Sequence, residues 1–112
     1  MRRLVCLLIA LVLPTALVAS EFRTGREIKA GLEGWVSDQS TETVRDAIAF
    51  GYVIGVHDAL AGLTVCIGKG VTQRKVVDVV LEFMRRNPQV LDASADRVIT
   101  AALEEVWPCP KT

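Results

Sequence analysis

His57 and Asp58 are the residues of this chain best suited to catalysis, because a histidine beside a carboxylate is a common general acid–base pair. His57 is the only histidine in the sequence. On a helix, however, adjacent side chains point about 100° apart, so the two residues are not expected to form an orienting pair. No serine or cysteine stands at a spacing that predicts a nucleophile for His57. We therefore predict that the protein has no catalytic residues and is not an enzyme.

The first 20 residues have the layout of a secretory signal peptide. Arg2 and Arg3 form a basic start, an unbroken apolar run covers residues 4–13, and small residues follow Pro14. The apolar run is shorter than the about 20 residues that a membrane span needs. We predict a cleaved signal peptide over residues 1–20, export to the periplasm and no membrane attachment after cleavage.

Cleavage after Ala19 or Ser20 would leave a mature domain over residues 21–112 with two cysteines, Cys66 and Cys109. A cysteine pair in an exported protein is usually oxidised, so we predict one disulfide. In the chain-entropy model, closing a loop of roughly 44 residues stabilises a fold by about 4 kcal/mol. A bridged pair cannot act as nucleophile or metal ligand, and the remaining residues show no metal-ligand spacing. We expect no metal and no cofactor.

The mature chain is weakly acidic. Arg2 and Arg3 belong to the 13 basic residues, so 11 remain beside 13 acidic residues, a formal charge of −2. Binding to nucleic acid needs a surplus of positive charge that neutralises phosphates. The composition therefore gives no support to a nucleic-acid-binding function.

Two helices are predicted in the first half of the mature chain. Thr24 and Glu27 match a capping box that begins a helix over residues 25–36. The polar residues 37–41 include hydroxyls that can cap a central helix, which we predict over residues 44–63.

Two further helices are predicted in the second half. Thr72 is the expected cap of a third helix, which ends at Arg85 and Arg86. Asn87 and Pro88 have the residue types that begin a helix, so we expect a fourth helix from there to Val106. The fold class is therefore all-α, a small bundle of four to five helices with one disulfide.

The central helix carries a stripe of small residues. A Gly costs a helix about 1 kcal/mol relative to Ala, so we expect the stripe to be in close contact with another helix. The adjoining face is large and apolar, which predicts a helix that is buried on two faces. We expect Asp58, on the small-residue side, to accept hydrogen bonds from backbone or basic groups. The stripe comprises Ala47, Gly51, Gly55, Ala59 and Gly62, and the apolar face Val44, Ile48, Tyr52, Val56, Leu60 and Leu63.

The loop before the third helix has residues suited to contacting a partner. The predicted disulfide would hold this loop, residues 67–71, in shape without burying it. Glycines allow close approach, and the neighbouring polar side chains remain available. The predicted contact residues are Gly68, Lys69, Gln73 and Arg74.

Several segments, taken in order, resemble a known family. They are Tyr52-Val-Ile-Gly-Val-x-Asp-Ala59, then Cys66-Ile-x-x-Gly-Val-Thr72, a valine-rich helix, an Asn-Pro turn, an alanine-rich helix and a terminal Trp107-Pro-Cys109. Their order and spacing resemble the Rap/Tai proteins, periplasmic immunity proteins that protect Gram-negative bacteria from amidase effectors of type VI secretion. The resemblance covers nearly the whole mature chain and includes the motif residues Gly51, Tyr52, Gly55 and Asp58.

The resemblance implies a small, helical, exported, disulfide-bonded protein, and members are often homodimers. It implies binding to a peptidoglycan amidase, whose active-site cleft is blocked. Family members often have a second cysteine pair, at positions that correspond to Leu32 and Ala49 of this chain. We expect an apolar contact to replace that bridge.

A different class of function is also compatible with a small, helical, singly bridged chain. A periplasmic acid-stress chaperone of the HdeA type would unfold or dissociate in strong acid and expose apolar surface. An immunity protein would bind one enzyme tightly without an acid trigger. A neighbouring amidase gene would distinguish the two.

Overall fold

The described part of the chain contains four α-helices, within the predicted four to five. The computed structural model describes residues 22–37 and 43–111, and the predicted signal peptide lies outside them. The helices are α1 (Gly25–Val36), α2 (Val44–Leu60), α3 (Gln73–Arg86) and α4 (Ala95–Val106), with a 3-10 turn at Pro88–Val90. In the described ranges, isolated bridges occur but no strand. None of the described helices is long and apolar enough to cross a membrane.

Threonine caps begin three of the helices. Each hydroxyl accepts a hydrogen bond from the third helical N–H, which would otherwise have no partner. The pairs are Thr24–Glu27 at 3.3 Å, Thr43–Asp46 at 3.3 Å and Thr72–Lys75 at 3.1 Å. The prediction that a hydroxyl in residues 37–41 caps α2 is wrong. Thr43 takes this position because Asp46, three residues later, completes a capping box.

Helix α2 ends at Leu60, three residues before the predicted end. The carbonyl of Leu60 accepts N–H bonds from Leu63 at 2.9 Å, Thr64 at 3.2 Å and Val65 at 3.3 Å. Gly62 has a φ of +79°, in the left-handed region that ends helices. The chain therefore turns back over the end of α2 instead of continuing along it.

We expected helix α4 to begin at Pro88, but it begins at Ala95. The segment between them bonds to the start of α1. Gly25 N donates to Ala93 O at 2.9 Å, and Arg26 N donates to Leu91 O at 2.8 Å. Ala95 N donates to Arg23 O at 2.8 Å. These tertiary bonds use backbone groups that a continuous helix would need, so only the 3-10 turn forms after Pro88.

One apolar core lies between the four helices. All four contribute fully buried side chains, and Val65 adds one from the loop between α2 and α3. Leu32 is fully buried, and Ala49 is 1% exposed. Both therefore belong to the core. We expected this of apolar residues at the positions where members of the resembling family often have a second cysteine pair. The largest fully buried side chains include Ile28, Leu81, Met84, Ile99 and Leu103.

Helices α1 and α2 approach each other closely at two glycines of α1. A Cβ at Gly31 would lie 2.5 Å from the Cβ of Ala49 and 2.9 Å from the carbonyl oxygen of Arg45. A Cβ at Gly34 would collide with the carboxylate of Asp46. The prediction that the stripe of small residues on α2 is in close contact with another helix is therefore wrong, because the glycines in tight contact are Gly31 and Gly34 of α1.

Asp46 is a buried carboxylate that the sequence analysis does not single out. It is 3% exposed, and Arg45 Nε donates to its Oδ1 at 3.1 Å. Burial opposes ionisation of this carboxylate, but hydrogen bonds from Thr43 and the ion pair with Arg45 outweigh it. The pKa of Asp46 therefore lies below its ordinary value of 3.8.

The lowered pKa gives a prediction for stability in acid. A carboxylate with a lowered pKa stabilises the fold above its unfolded-state pKa, and this contribution is lost as pH falls through the folded-state pKa. Asp46→Asn should therefore lower the melting temperature at neutral pH, and the difference from wild type should shrink below about pH 4. The exposed carboxylate variant Asp92→Asn is the control, with little effect at either pH. A difference for Asp46→Asn that persists unchanged at pH 2 would contradict this.

Candidate partner-binding surface

The tethered loop, residues 61–72, connects α2 to α3 and is held to the chain end. Cys66 and Cys109 are bridged, which confirms the predicted disulfide. Backbone hydrogen bonds flank the bridge: Cys66 N donates to Trp107 O at 2.9 Å, and Cys109 N donates to Thr64 O at 3.2 Å. Val65 is fully buried between them. The base of the loop is therefore fixed on both sides.

The tip of the tethered loop is exposed. Gly68, Lys69 and Gly70 are all solvent-accessible. Ile67 and Val71, on either side of them, are partly buried and pack against the core. Gly70 has a φ of +87°, which a residue with a Cβ rarely adopts. The loop thus has a short exposed tip between two apolar residues that pack on the core; the exposure was predicted from the sequence and the apolar contacts were not.

The first turn of α3 adds the other two predicted contact residues, Gln73 and Arg74, both of which are exposed. Arg74 is already engaged within the chain. Its Nε donates to Asp78 Oδ1 at 3.0 Å, and its guanidinium carbon lies 5.9 Å from the ring centroid of Trp35. Among the described residues, Lys69 forms no ion pair. Lys69 and Gln73 are therefore freer than Arg74 to bind a partner.

The Trp35 ring beneath the Arg74 guanidinium is part of an aromatic stack. The rings of Trp35 and Phe50 lie 4.5 Å apart with an interplanar angle of 10°. Both side chains are partly buried. The sequence alone does not predict this stack, because the two residues lie on different helices. The stack joins the end of α1 to α2, and Arg74 at the start of α3 lies over its Trp35 ring.

His57 and Asp58 are closer than we predicted. His57 Nδ1 lies 2.9 Å from Asp58 Oδ1. The 100° rule describes the directions in which the side chains leave the helix, but both side chains can curl toward each other beyond the Cβ. We expected Asp58 to accept hydrogen bonds from backbone or basic groups, but its carboxylate pairs with the His57 ring instead. In the described ranges, no cluster of His, Cys, Asp and Glu could hold a metal ion.

The prediction that α2 is buried on two faces is wrong. A Cβ at Gly51 or Gly55 would meet nothing within 4 Å. Val44 is 77% exposed and Ile48 41% exposed. The helix buries a single face, because α1, α3 and α4 all pack on the side of Asp46, Ala49 and Val53. We call the opposite side the α2 outer face: Val44, Ala47, Ile48, Gly51, Gly55, Asp58 and Ala59.

Tyr52 marks the edge of the α2 outer face and is half-buried. Burial raises the pKa of its hydroxyl, and the Asp96 carboxylate at the start of α4 raises it further. Tyr52 therefore belongs to the contact between α2 and α4, whereas Gly51 and Gly55 of the same motif face solvent.

A search of curated proteins finds no significant match to this chain. A family model does match, and its description is Rap1a immunity proteins. The match runs over residues 24–109, from the cap of α1 to the second cysteine of the disulfide. It includes all four helices and the tethered loop. The chain belongs to the Rap1a immunity protein family.

Proposed function

We propose that this chain is an exported immunity protein that binds a peptidoglycan amidase effector of a type VI secretion system and inhibits it. The observation that carries the proposal is the family match over residues 24–109. We place the mature protein in the periplasm, where the amidase would meet peptidoglycan and where a disulfide persists. In this role the protein acts by binding, without turnover of peptidoglycan.

The tethered loop is the contact surface that we propose. Its base is fixed by the Cys66–Cys109 bridge and its flanks by Ile67 and Val71. A loop that is already ordered loses less entropy on binding, which favours affinity. Its tip, at Gly68 and Lys69, projects from the core and could enter a concave site. Gln73 and Arg74 adjoin the tip and add polar groups.

Calorimetry with a peptidoglycan amidase effector of a type VI secretion system tests the proposed contact. We expect the wild type to bind tightly and Lys69→Glu, alone or with Gln73→Glu, to raise the dissociation constant about tenfold or more. Lys69 is a better position than Arg74, because Arg74→Glu would also remove the contact with Trp35.

Arg97→Glu is the matched control for charge. Arg97 is exposed near the start of α4, where the chain contacts the start of α1, far along the bundle from the tethered loop. This variant should bind the amidase like the wild type. Equal affinities for Lys69→Glu and Arg97→Glu would move the interface off the loop, while leaving the amidase as partner.

A further inference from the structure

The tethered loop and the first turn of α3 carry positive charge in a chain that is acidic overall. Residues 59–77 contain three basic residues and no acidic residue, whereas the mature chain has 11 basic and 13 acidic residues. The three are Lys69, Arg74 and Lys75, and all are exposed. We call residues 69–75 the basic segment. Among the described residues, neither lysine forms an ion pair, so the two charges are not neutralised within the chain.

The stability of α3 does not account for this charge. The three helices with threonine caps have a charged residue at the same third helical position, which is Glu27 in α1, Asp46 in α2 and Lys75 in α3. The positive partial charge at the N-terminal end of a helix stabilises an acidic side chain there and opposes a basic one. The first turn of α3 contains no acidic residue and has Arg74 beside Lys75. Residues that oppose the local structure in this way are expected at functional sites.

Arg74 is held in a fixed orientation by two contacts. Its Nε donates to Asp78 Oδ1 at 3.0 Å, and its guanidinium carbon lies 5.9 Å from the centroid of the Trp35 ring, which is itself stacked on Phe50. The Arg74 side chain is nevertheless 54% exposed. Within the described part of the chain, no hydrogen bond or ion pair engages its two terminal nitrogens. Arg74 therefore presents an oriented pair of N–H donors to solvent.

A carboxylate is the protein group that this pair of donors fits. The two terminal nitrogens of a guanidinium can donate to both oxygens of one carboxylate, in two parallel charge-assisted hydrogen bonds. Because Asp78 and Trp35 already restrict the Arg74 side chain, little side-chain entropy is lost when such a contact forms. Lys69 and Lys75 would attract further acidic groups at the edge of the contact.

We propose that the basic segment binds an acidic part of the amidase surface, with Arg74 receiving an aspartate or glutamate carboxylate through both terminal nitrogens. The proposal rests on the proposed function and adds the charge of the partner surface and the residue that recognises it. Arg74 makes the specific contact, whereas Lys69 and Lys75 speed the encounter through long-range attraction.

The rates of association and dissociation distinguish these two roles. Surface plasmon resonance would measure both for the mature, disulfide-bonded protein on an immobilised peptidoglycan amidase effector of a type VI secretion system. Lys75→Glu should lower the association rate constant about tenfold and reduce its dependence on salt, with little change in the dissociation rate constant. Arg97→Glu makes the same change of charge at an exposed position of α4 and should change both rates little.

Arg74→Lys tests the recognition of a carboxylate. Lysine keeps the positive charge over the Trp35 ring but cannot donate two parallel hydrogen bonds. This variant should keep the helical circular dichroism signal and the association rate constant of the wild type, and its dissociation rate constant should rise about tenfold. Arg26→Lys makes the same change at an exposed arginine of α1 that pairs with Asp92. It is the matched control and should bind like the wild type.

Three results would overturn this proposal while leaving the amidase as partner. They are an Arg74→Lys variant with wild-type rates, equal rates for Lys75→Glu and Arg97→Glu, and a wild-type association rate constant that does not fall as NaCl is raised from about 0.05 to 0.5 M. A wild type that does not bind the amidase would instead contradict the proposed function, and this proposal with it.

Discussion

Removing the Cys66–Cys109 disulfide is expected to lower the free energy of unfolding by about 4 kcal/mol. The bridge closes a loop with a sequence separation of 43 residues, and opening it increases the entropy of the unfolded chain. Small domains have a total stability of about 5–15 kcal/mol, so the loss is a large part of the total. Cys66→Ala should therefore show a strongly reduced urea midpoint by circular dichroism.

The cysteine variants also test whether the two residues act as one unit. Cys66→Ala, Cys109→Ala and the double variant should lose similar stability, because any one of them removes the same bridge. Reduction of the wild type should lower its stability to a similar level. Mass spectrometry of non-reduced peptides from periplasmic protein should find the linked pair. Free thiols at both positions, or a wild type that reduction does not destabilise, would contradict this prediction.

Gly31→Ala is expected to destabilise the fold by about 2–3 kcal/mol, although it adds a single methyl group. The new Cβ would lie 2.5 Å from the Cβ of Ala49 and 2.9 Å from the backbone oxygen of Arg45. Neither atom is the end of a flexible side chain, so α1 and α2 must separate. That separation would loosen the core on both sides of the contact.

Gly55→Ala is the matched control, since it makes the same change in the neighbouring helix. A Cβ at Gly55 meets nothing within 4 Å, and Ala favours a helix by about 1 kcal/mol over Gly. Urea unfolding of dilute protein should therefore show lower stability for Gly31→Ala and equal or higher stability for Gly55→Ala. Similar shifts for both variants would show that the α1–α2 contact is not as tight as the structure indicates.

Features that depend on neighbouring residues could be predicted from the sequence. Helix α1 has the predicted bounds because Thr24 supplies its cap locally. The end of α3 followed from Asn87 and Pro88, which cannot extend a helix easily. The disulfide followed from the combination of an export signal with two remaining cysteines.

Features that depend on tertiary contacts could not be predicted from the sequence. The start of α4 at Ala95 is set by hydrogen bonds to Arg23 and Gly25, which are distant in sequence. A glycine pattern shows that a side chain is absent, but a buried contact and a smooth exposed surface both produce it. Gly31 and Gly34 are likewise glycines within a helix, α1, and only the structure shows that the buried contact lies at these two residues.

The candidate site also has parts that could be predicted from the sequence and parts that could not. The tethered loop was predictable because its glycines, its lysine and its cysteine are adjacent in sequence. The contact of Arg74 with Trp35 was not predictable, because α1 and α3 meet only in the folded chain. The apolar character of α2 was visible in the sequence, yet residues for a core and residues for an interface look alike until the buried side is known.

The central claim, that this chain inhibits an amidase by binding to it, is tested most directly by titration of peptidoglycan hydrolysis. A peptidoglycan amidase effector of a type VI secretion system would be incubated with increasing amounts of the mature protein, and the release of peptide from purified peptidoglycan would be followed. We expect hydrolysis to fall in proportion to added protein and to stop near equimolar amounts, while the protein alone releases nothing. Undiminished hydrolysis in an excess of correctly folded, disulfide-bonded protein would contradict the claim.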